Sequence, residues 1–274
     1  MPGDDQPAID ARGLTKEFRK HVSRPGLGGA LLDLFSRRYE MVRAVDGIDL
    51  LVQRGETVGY VGPNGAGKST TIKMLTGILV PTSGHLRVNG MVPWRERARF
   101  ARTIGVVFGQ RSQLWWDLAV QETFRLLQKI YRLPESVYRE RLEELTATLG
   151  LSDLLATPVR HLSLGQRMRC ELAAALLHDP PLLFLDEPSI GLDVMAKAQL
   201  RRFLRRLNRE RGTTVILATH DMGDVEAVCQ RAVVINQGKI LYDGSVERLR
   251  SLRAGTTTLE EAVRALYAAA GREK

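Results

Sequence analysis

The nine residues GPNGAGKST, Gly62 to Thr70, leave this chain little architectural freedom. They satisfy the phosphate-loop pattern, with Gly62, Gly67, Lys68 and Ser69 in the required places. The backbone of such a loop must curl around a phosphate with several N–H groups pointing inward, at dihedrals and distances that a side chain would block. Lys68 supplies a mobile positive charge for the β- and γ-phosphates, and Ser69 can ligate Mg²⁺. The helix that starts there directs its positive end at the phosphates. Pro63, Asn64, Gly65, Ala66 and Thr70 complete the nucleotide-binding set. The preceding ETVGYVG is a short, nearly continuous apolar run, as a buried parallel strand requires, so strand, loop and helix follow in the order the motif demands.

PLLFLDE and TTVILATH repeat that pattern of buried strand followed by turn or helix start. AIDARGLTKEF, VDGIDLLVQRG, GHLRVNG and RAVVINQGKILYDG alternate more and carry Asn, Gly and Asp turns, which predicts antiparallel strands and hairpins. From about Val120 to Leu155 the period becomes helical: VQETFRLLQKIY, a break at Pro134, then SVYRERLEELTATLGL with Val137, Leu142, Leu145 and Leu149 on one face. The expected fold is α/β: a P-loop NTPase core with an antiparallel β subdomain and an inserted α-helical subdomain.

LLFLDEP, Leu182 to Pro188, ends a buried strand with two adjacent carboxylates. Asp186 is placed to hold Mg²⁺ and Glu187 to polarise a water for in-line attack on a γ-phosphate. HLSLGQRMRCELA, from His161, opens a second helix with a hydroxyl and free backbone N–H groups, another anion site in a chain that already has a phosphate loop. Two phosphate-seeking helix ends in one chain suggest that each serves a different nucleotide.

Here the sequence resembles the ATP-binding subunits of ABC transporters, whose signature LSGGQ is matched by Leu162 to Gln166 with Leu164 in place of the first glycine. Phosphate loop, glutamine loop, signature, Asp-Glu strand and histidine switch occur in that order across roughly Ile9 to Leu249. The resemblance implies an ATPase of ABC type over residues 1–250, with the helical subdomain at about 111–165 and a C-terminal helical tail at 251–274. It implies that Gln110, in VVFGQRSQ, senses Mg²⁺ and the attacking water, and that His220, in ATHD, contacts the γ-phosphate. Asp193, in SIGLD, would belong to a loop crossing a dimer interface, and Ser163, Gly165 and Gln166 would touch the γ-phosphate held by the other subunit. Phe18 matches the position where an aromatic ring stacks on adenine, with a core role as its alternative. The catalytic set is then Glu187, His220, Lys68 and Gln110, and the metal set Ser69, Gln110 and Asp186. ATP and Mg²⁺ are the expected cofactors. The expected assembly is an ATP-dependent dimer, of two copies or of one copy and a related ATPase subunit, driving export through a separate integral membrane permease.

Between Arg24 and Glu40 the chain reads RPGLGGALLDLFSRRYE, inside what the resemblance marks as an insertion of about 20–43. Leu27, Ala30, Leu31, Leu34 and Phe35 predict an amphipathic helix with Arg24, Arg37 and Arg38 at its ends. Two placements stay open: packing on its own domain, or lying at the membrane face or permease with arginines toward anionic lipid. Trp115 and Trp116, just beyond Gln110, suggest either helical-subdomain core or an aromatic docking surface for the permease. No apolar run reaches the roughly 18 residues that cross a bilayer, so a peripheral place on the cytoplasmic side of the membrane is expected. Cys170 and Cys229 are expected to be buried and apolar in role.

The formal net charge of +9 favours anionic surfaces in general. An ABC-type ATPase acting on nucleic acid or ribosomes is the alternative class. The chain lacks the second cassette or the long coiled coil that such proteins carry, so no nucleic acid is expected. In QLRRFLRRLNRERG the apolar residues recur at helical spacing, which predicts a solvated helix surface rather than a nucleic-acid stripe.

Overall fold

Three apolar runs become the centre of the larger sheet because both of its faces are covered. The computed structural model describes residues 6–21, 39–109, 111–252 and 258–272. Strands β1 (Ile9–His21), β2 (Tyr39–Val52) and β4 (Ser83–Val88) form a three-stranded antiparallel sheet in the order β2-β1-β4. Strands β3 (Thr57–Val61), β5 (Ile104–Phe108), β6 (Leu182–Asp186), β7 (Thr214–Thr219), β8 (Arg231–Asn236) and β9 (Lys239–Ser245) form the second sheet, in the order β5-β6-β7-β3-β8-β9. All its pairs are parallel except β8 with β9.

Strands β3, β6 and β7 are buried at every position. Successive side chains of a strand point to opposite faces, and the two apolar clusters divide accordingly. Leu183, Leu185, Val215 and Leu217 join one cluster; Leu182, Phe184, Ile216 and Ala218 join the other. The second cluster fills the space toward the antiparallel sheet with Ile9, Leu14, Tyr60, Ile72 and Met74. The first continues into the helical region, where α2 (Val120–Tyr131) and α3 (Glu135–Leu149) contribute Phe124, Leu127, Tyr138 and Leu145. Arg132, at φ 56°, ends α2, Pro134 precedes α3, and Gly150, at φ 62°, closes α3 in the left-handed conformation. The remaining α-helices of five or more residues are α1 (Lys68–Leu75), α4 (Leu164–Leu176), α5 (Val194–Arg211), α6 (Met222–Val228), α7 (Val246–Arg250) and α8 (Leu259–Arg272).

The structure corrects one sequence expectation, places a hairpin and decides between the alternatives for two tryptophans. The insertion of about 20–43 is strand at both described ends: Lys20 pairs with Glu40 and His21 with Tyr39. Cross-strand pairing of the alternating segment YEMVR extends the sheet ladder there, so Tyr39 and Glu40 are not helical; residues 22–38, with most of the expected helix, lie outside the described residues. The hairpin RAVVINQGKILYDG is antiparallel within itself, but it belongs to the large sheet, because β8, buried from Ala232 to Ile235, lies parallel to β3. Trp115 and Trp116 are both exposed, at 42% and 52%, so neither is core. Helix α5 buries Leu200, Leu204 and Leu207 and leaves Arg202, Arg205, Arg206 and Arg209 exposed, a solvated face as the spacing predicts. Cys170 and Cys229 are buried, and burial pushes the Cys170 thiol up to about 12, far from thiolate chemistry.

Candidate functional site

The phosphate loop joins β3 to α1 through a backbone that only glycine permits at two points. Gly67 caps α1 at φ 107°, and a Cβ there would sit 2.5 Å from the Ala44 carbonyl oxygen. A Cβ on Gly62 would sit 2.6 Å from the Ile235 carbonyl oxygen. No side chain caps α1, so its first N–H groups stay free for an anion. Lys68, only 5% exposed, folds back over the loop and donates to the carbonyl oxygens of Gly62 at 2.6 Å and Pro63 at 3.3 Å. Ser69 donates its hydroxyl to Asp186 Oδ1 at 3.2 Å.

The parallel order β6-β7-β3 brings the ends of the three strands to the same edge, which is why Asp186, Glu187 and His220 meet Lys68. Glu187 stands at φ 55°, an uncommon conformation for a residue with a side chain, held by its N–H donating to the Ala218 carbonyl at 2.8 Å. Its Oε1 lies 3.2 Å from Lys68 Nζ, close enough for charge attraction but without a donor aligned to it. Its Oε2 lies 2.9 Å from His220 Nδ1. Burial pushes the Asp186 carboxyl above the ordinary range; the Ser69 hydrogen bond pulls it down, the Glu187 charge adds to the rise, and Lys68 and Lys73 oppose it. The cleft over these groups has a volume of about 430 Å³ and is lined also by Ala44, Lys73, Arg111 and Ile190.

Ser163, Gly165, Gln166 and Asp193 lie elsewhere. Ser163 caps α4 in a reciprocal box: its hydroxyl accepts from Gln166 N–H at 3.2 Å, and Gln166 Oε1 accepts from Ser163 N–H at 2.9 Å. Asp193 caps α5, accepting from Ala196 N–H at 2.8 Å. All four line a separate groove of about 680 Å³, and none of them lines the cleft that holds Lys68. Leu164 leans over Gly191, where an added Cβ would come within 2.7 Å of its Cδ2. Val194 and Met195, at the start of α5, are 82% and 67% exposed.

Phe18 is 40% exposed, with the Lys16 ammonium 5.3 Å from its ring centre, so it is not a core residue. It pairs with Val42, two residues from the cleft-lining Ala44. Gln110 lies outside the described residues; beside it, a Cβ on Gly109 would fall 2.1 Å from the Glu187 carbonyl oxygen.

Sequence reasoning did not find the network behind the dyad. Asp224, 2% exposed, accepts from Ser189, two residues beyond Glu187, and from Arg201 Nε at 2.7 Å. Lys197 donates to Asp221 at 2.7 Å, next to His220. The signal was present as an acid four residues after His220 and two cations one turn apart on α5, yet spacing alone could not join them.

A family model described as ABC transporter matches residues 45–190. The chain is 33% identical over 215 residues, 78% of its length, to the ABC transporter ATP-binding protein NatA of Bacillus subtilis (strain 168), spanning 87% of that protein. It is 34% identical over 224 residues, 82% of its length, to the linearmycin resistance ATP-binding protein LnrL of the same organism, spanning 71% of it. Among solved structures, the dimeric post-hydrolysis state of an ATP-binding cassette bound to ADP and Pi superposes with a TM-score of 0.71 at 25% identity, covering 86% of this chain and 98% of that one.

Proposed function

This chain belongs to the ABC transporter family as an ATP-hydrolysing subunit, and from that premise we propose that two copies close around two ATP molecules and drive export through a separate membrane permease. One observation carries the proposal: the two anion-seeking helix ends serve different cavities. Lys68, Asp186, Glu187 and His220 share one cleft, while Ser163, Gly165, Gln166 and Asp193 line another. One chain therefore supplies half of each of two sites, and the other half comes from a partner. The exposed Val194 and Met195, beside Asp193, give that partner an apolar contact.

In the completed site Lys68 leaves Glu187 and the two loop carbonyls to hold the β- and γ-phosphates, with the free N–H groups at the start of α1. Glu187 Oε1, a buried acceptor without a donor, takes a hydrogen bond from the attacking water and receives its proton as the bond to the γ-phosphorus forms and the bond from that phosphorus to the bridging oxygen breaks, leaving ADP and phosphate. His220 keeps the carboxylate oriented through Oε2. Ser163 and the N-terminus of α4 stabilise the γ-phosphate of the other subunit's ATP. The residues fit Mg²⁺: Ser69 Oγ and Asp186 Oδ1 already meet at 3.2 Å and are hard oxygen donors, with Gln110 as a third. When bound, Mg²⁺ supplies neutralisation of charge on the β- and γ-oxygens. Phe18 would stack on adenine from its exposed position.

Residues 1–250 act as one ATPase domain with the helical subdomain at about 111–165 and a tail from 251. The permease docks at the exposed Trp115 and Trp116, next to the glutamine loop, since aromatic rings anchor interfaces. Among the described residues no helix is long and apolar enough to cross a membrane, which suits a peripheral subunit at the cytoplasmic face. Export is the direction that the resemblance of the sequence favours. Contact of residues 24–40 with anionic lipid or with the permease rests on sequence alone.

The test is the mass of the Glu187→Gln variant with ATP and Mg²⁺ by light scattering, expected to be twice that of the nucleotide-free chain. A monomer under those conditions overturns the two-copy site. Affinity purification of the tagged chain from detergent-solubilised membranes should bring down a multispanning protein at equal copy number; its absence, with ribosomal proteins or nucleic acid instead, overturns the permease.

A further inference from the structure

Helix α4 carries a buried acid that the hydrolysis chemistry does not use. Glu171 lies eight residues beyond Ser163, about 12 Å along the helix axis at 1.5 Å per residue, and is 4% exposed. Its carboxylate faces the loop that follows Gln110. One oxygen accepts from the Ser112 hydroxyl and the other from the Gln113 N–H at 3.2 Å, and Gln113 Nε2 donates to the Glu171 carbonyl at 3.0 Å. Among the described residues no cation lies within ion-pair distance of it. Its helix neighbours Cys170, Leu172, Ala173 and Ala174 are buried and apolar. A leucine at 171 would pack there without desolvating a charge, so stability alone gives no reason for an acid. What the acid supplies is a directional bond pair between α4 and the loop.

We propose that Glu171 is a positioning residue that links the two ATP sites of the dimer, by tying the helix that carries Ser163 to the loop that carries Ser112 and Gln113. The inference rests on the two-copy site proposed above. In such a dimer each chain presents its Lys68 cleft to one ATP and its Ser163 end to the other. Arg111, beside Ser112, lines the Lys68 cleft. Helix α4 is rigid along its axis, so a shift of Ser163 on one nucleotide moves Glu171, and its two bonds move the 111–113 loop at the other. Burial pushes the Glu171 carboxyl upward, opposed by the Ser112 and Gln113 hydrogen bonds, which agrees with a carboxylate dependent on that loop.

The experiment is steady-state hydrolysis against ATP concentration with the full chain: wild type, Glu171→Leu, Glu171→Gln and Ser112→Ala. Wild type should be cooperative, with a Hill coefficient approaching two, the number of sites. Glu171→Leu and Ser112→Ala should bring it toward unity, lowering the coupling between the sites by about fivefold or more. Glu171→Gln keeps an acceptor for Ser112 but turns an amide N–H toward the Gln113 N–H, so it should fall between. A purely structural role would lower the melting temperature and the active fraction while leaving the Hill coefficient unchanged, and that result overturns the inference. A wild-type dimer without cooperativity overturns it too. If Glu171→Leu does not fold, Ser112→Ala, which removes one hydroxyl from a partly exposed loop, decides. Failure of the two-copy site is seen separately, as a wild type and a Glu187→Gln variant that both stay monomeric with ATP.

Discussion

Replacing Glu187 by Gln tests two roles of that side chain with one change. Lys68 Nζ sits 3.2 Å from Glu187 Oε1, and both side chains are largely buried, at 5% and 13% exposure. At an effective dielectric of about 20, two unit charges at that separation attract by ~5 kcal/mol. Most of this is offset, because separating the pair lets both charges regain solvent or phosphate contacts. Counting about a quarter of it as net gives ~1.3 kcal/mol, close to a tenfold change in an equilibrium constant. ATP must displace Glu187 from Lys68, and the carboxylate also repels the γ-phosphate. Both effects have the same sign, so Glu187→Gln should bind ATP about tenfold more tightly or better. An amide oxygen can still accept from His220, so the geometry of the dyad survives. The variant loses the proton acceptor, and hydrolysis should fall by about 10² to 10⁴-fold.

Two assays separate these effects: equilibrium binding of a fluorescent ATP analogue, and phosphate release under saturating ATP. The parallel variant His220→Ala should slow phosphate release while leaving the Lys68–Glu187 pair in place, and so should not show the tightened ATP binding of Glu187→Gln. A Glu187→Gln variant that hydrolyses ATP at the wild-type rate would refute Glu187 as proton acceptor. One that binds ATP no more tightly would refute Glu187 as an internal competitor for Lys68.

Ser163→Ala removes the α4 cap and should cost about 1 kcal/mol of stability by urea unfolding; it should also stop hydrolysis, as should Lys68→Ala. Mixing the two inactive variants should restore activity, because one site of the mixed dimer keeps an intact Lys68 and an intact Ser163; a mixture without activity refutes the shared site. Gly67→Ala places a Cβ 2.5 Å from the Ala44 carbonyl oxygen at φ 107°, and should abolish ATP-analogue binding with the fold retained by circular dichroism. His178, stacked on Tyr131 at 3.9 Å, has its basicity pushed down by burial to about 4 from an ordinary 6.5. A depressed folded value means that the unfolded chain binds the proton more readily. Its contribution is therefore complete above pH 6.5 and is lost as pH falls toward 4, by about 3 kcal/mol in total. Urea unfolding at pH 7.5 and 5 should show about 2 kcal/mol of that loss in wild type and not in His178→Phe, and an identical loss in both would refute it.

The parts of the site that could be read in the sequence are those whose chemistry is contiguous. GPNGAGKST fixes backbone shape over nine successive residues, and the Asp186–Glu187 pair follows directly on the strand that positions it. Strands β3, β6 and β7 were legible because burial on both faces leaves an unbroken apolar run. β5 carries the same kind of run in IGVVF, but it was not anticipated, because its membership of the sheet is decided by pairing with β6, 78 residues away from Ile104 at Leu182. The bonds that set the site fall in the same class: Ser112 to Glu171 spans 59 positions, and Ser189 to Asp224 spans 35.

These distant bonds form a continuous path through the site. Asp193 caps α5, α5 carries Lys197 and Arg201, and those cations hold Asp221 and Asp224 beside His220, while Asp224 also holds Ser189 beyond Glu187. The loop at the edge of the groove lined by Ser163 and Asp193 is thus bonded to both loops of the Glu187–His220 dyad. A motif can announce that hydrolysis is available, but when hydrolysis proceeds depends on the residues between motifs. In this chain those residues are buried acids, Asp224 and Glu171, each bridging two segments that the sequence keeps apart.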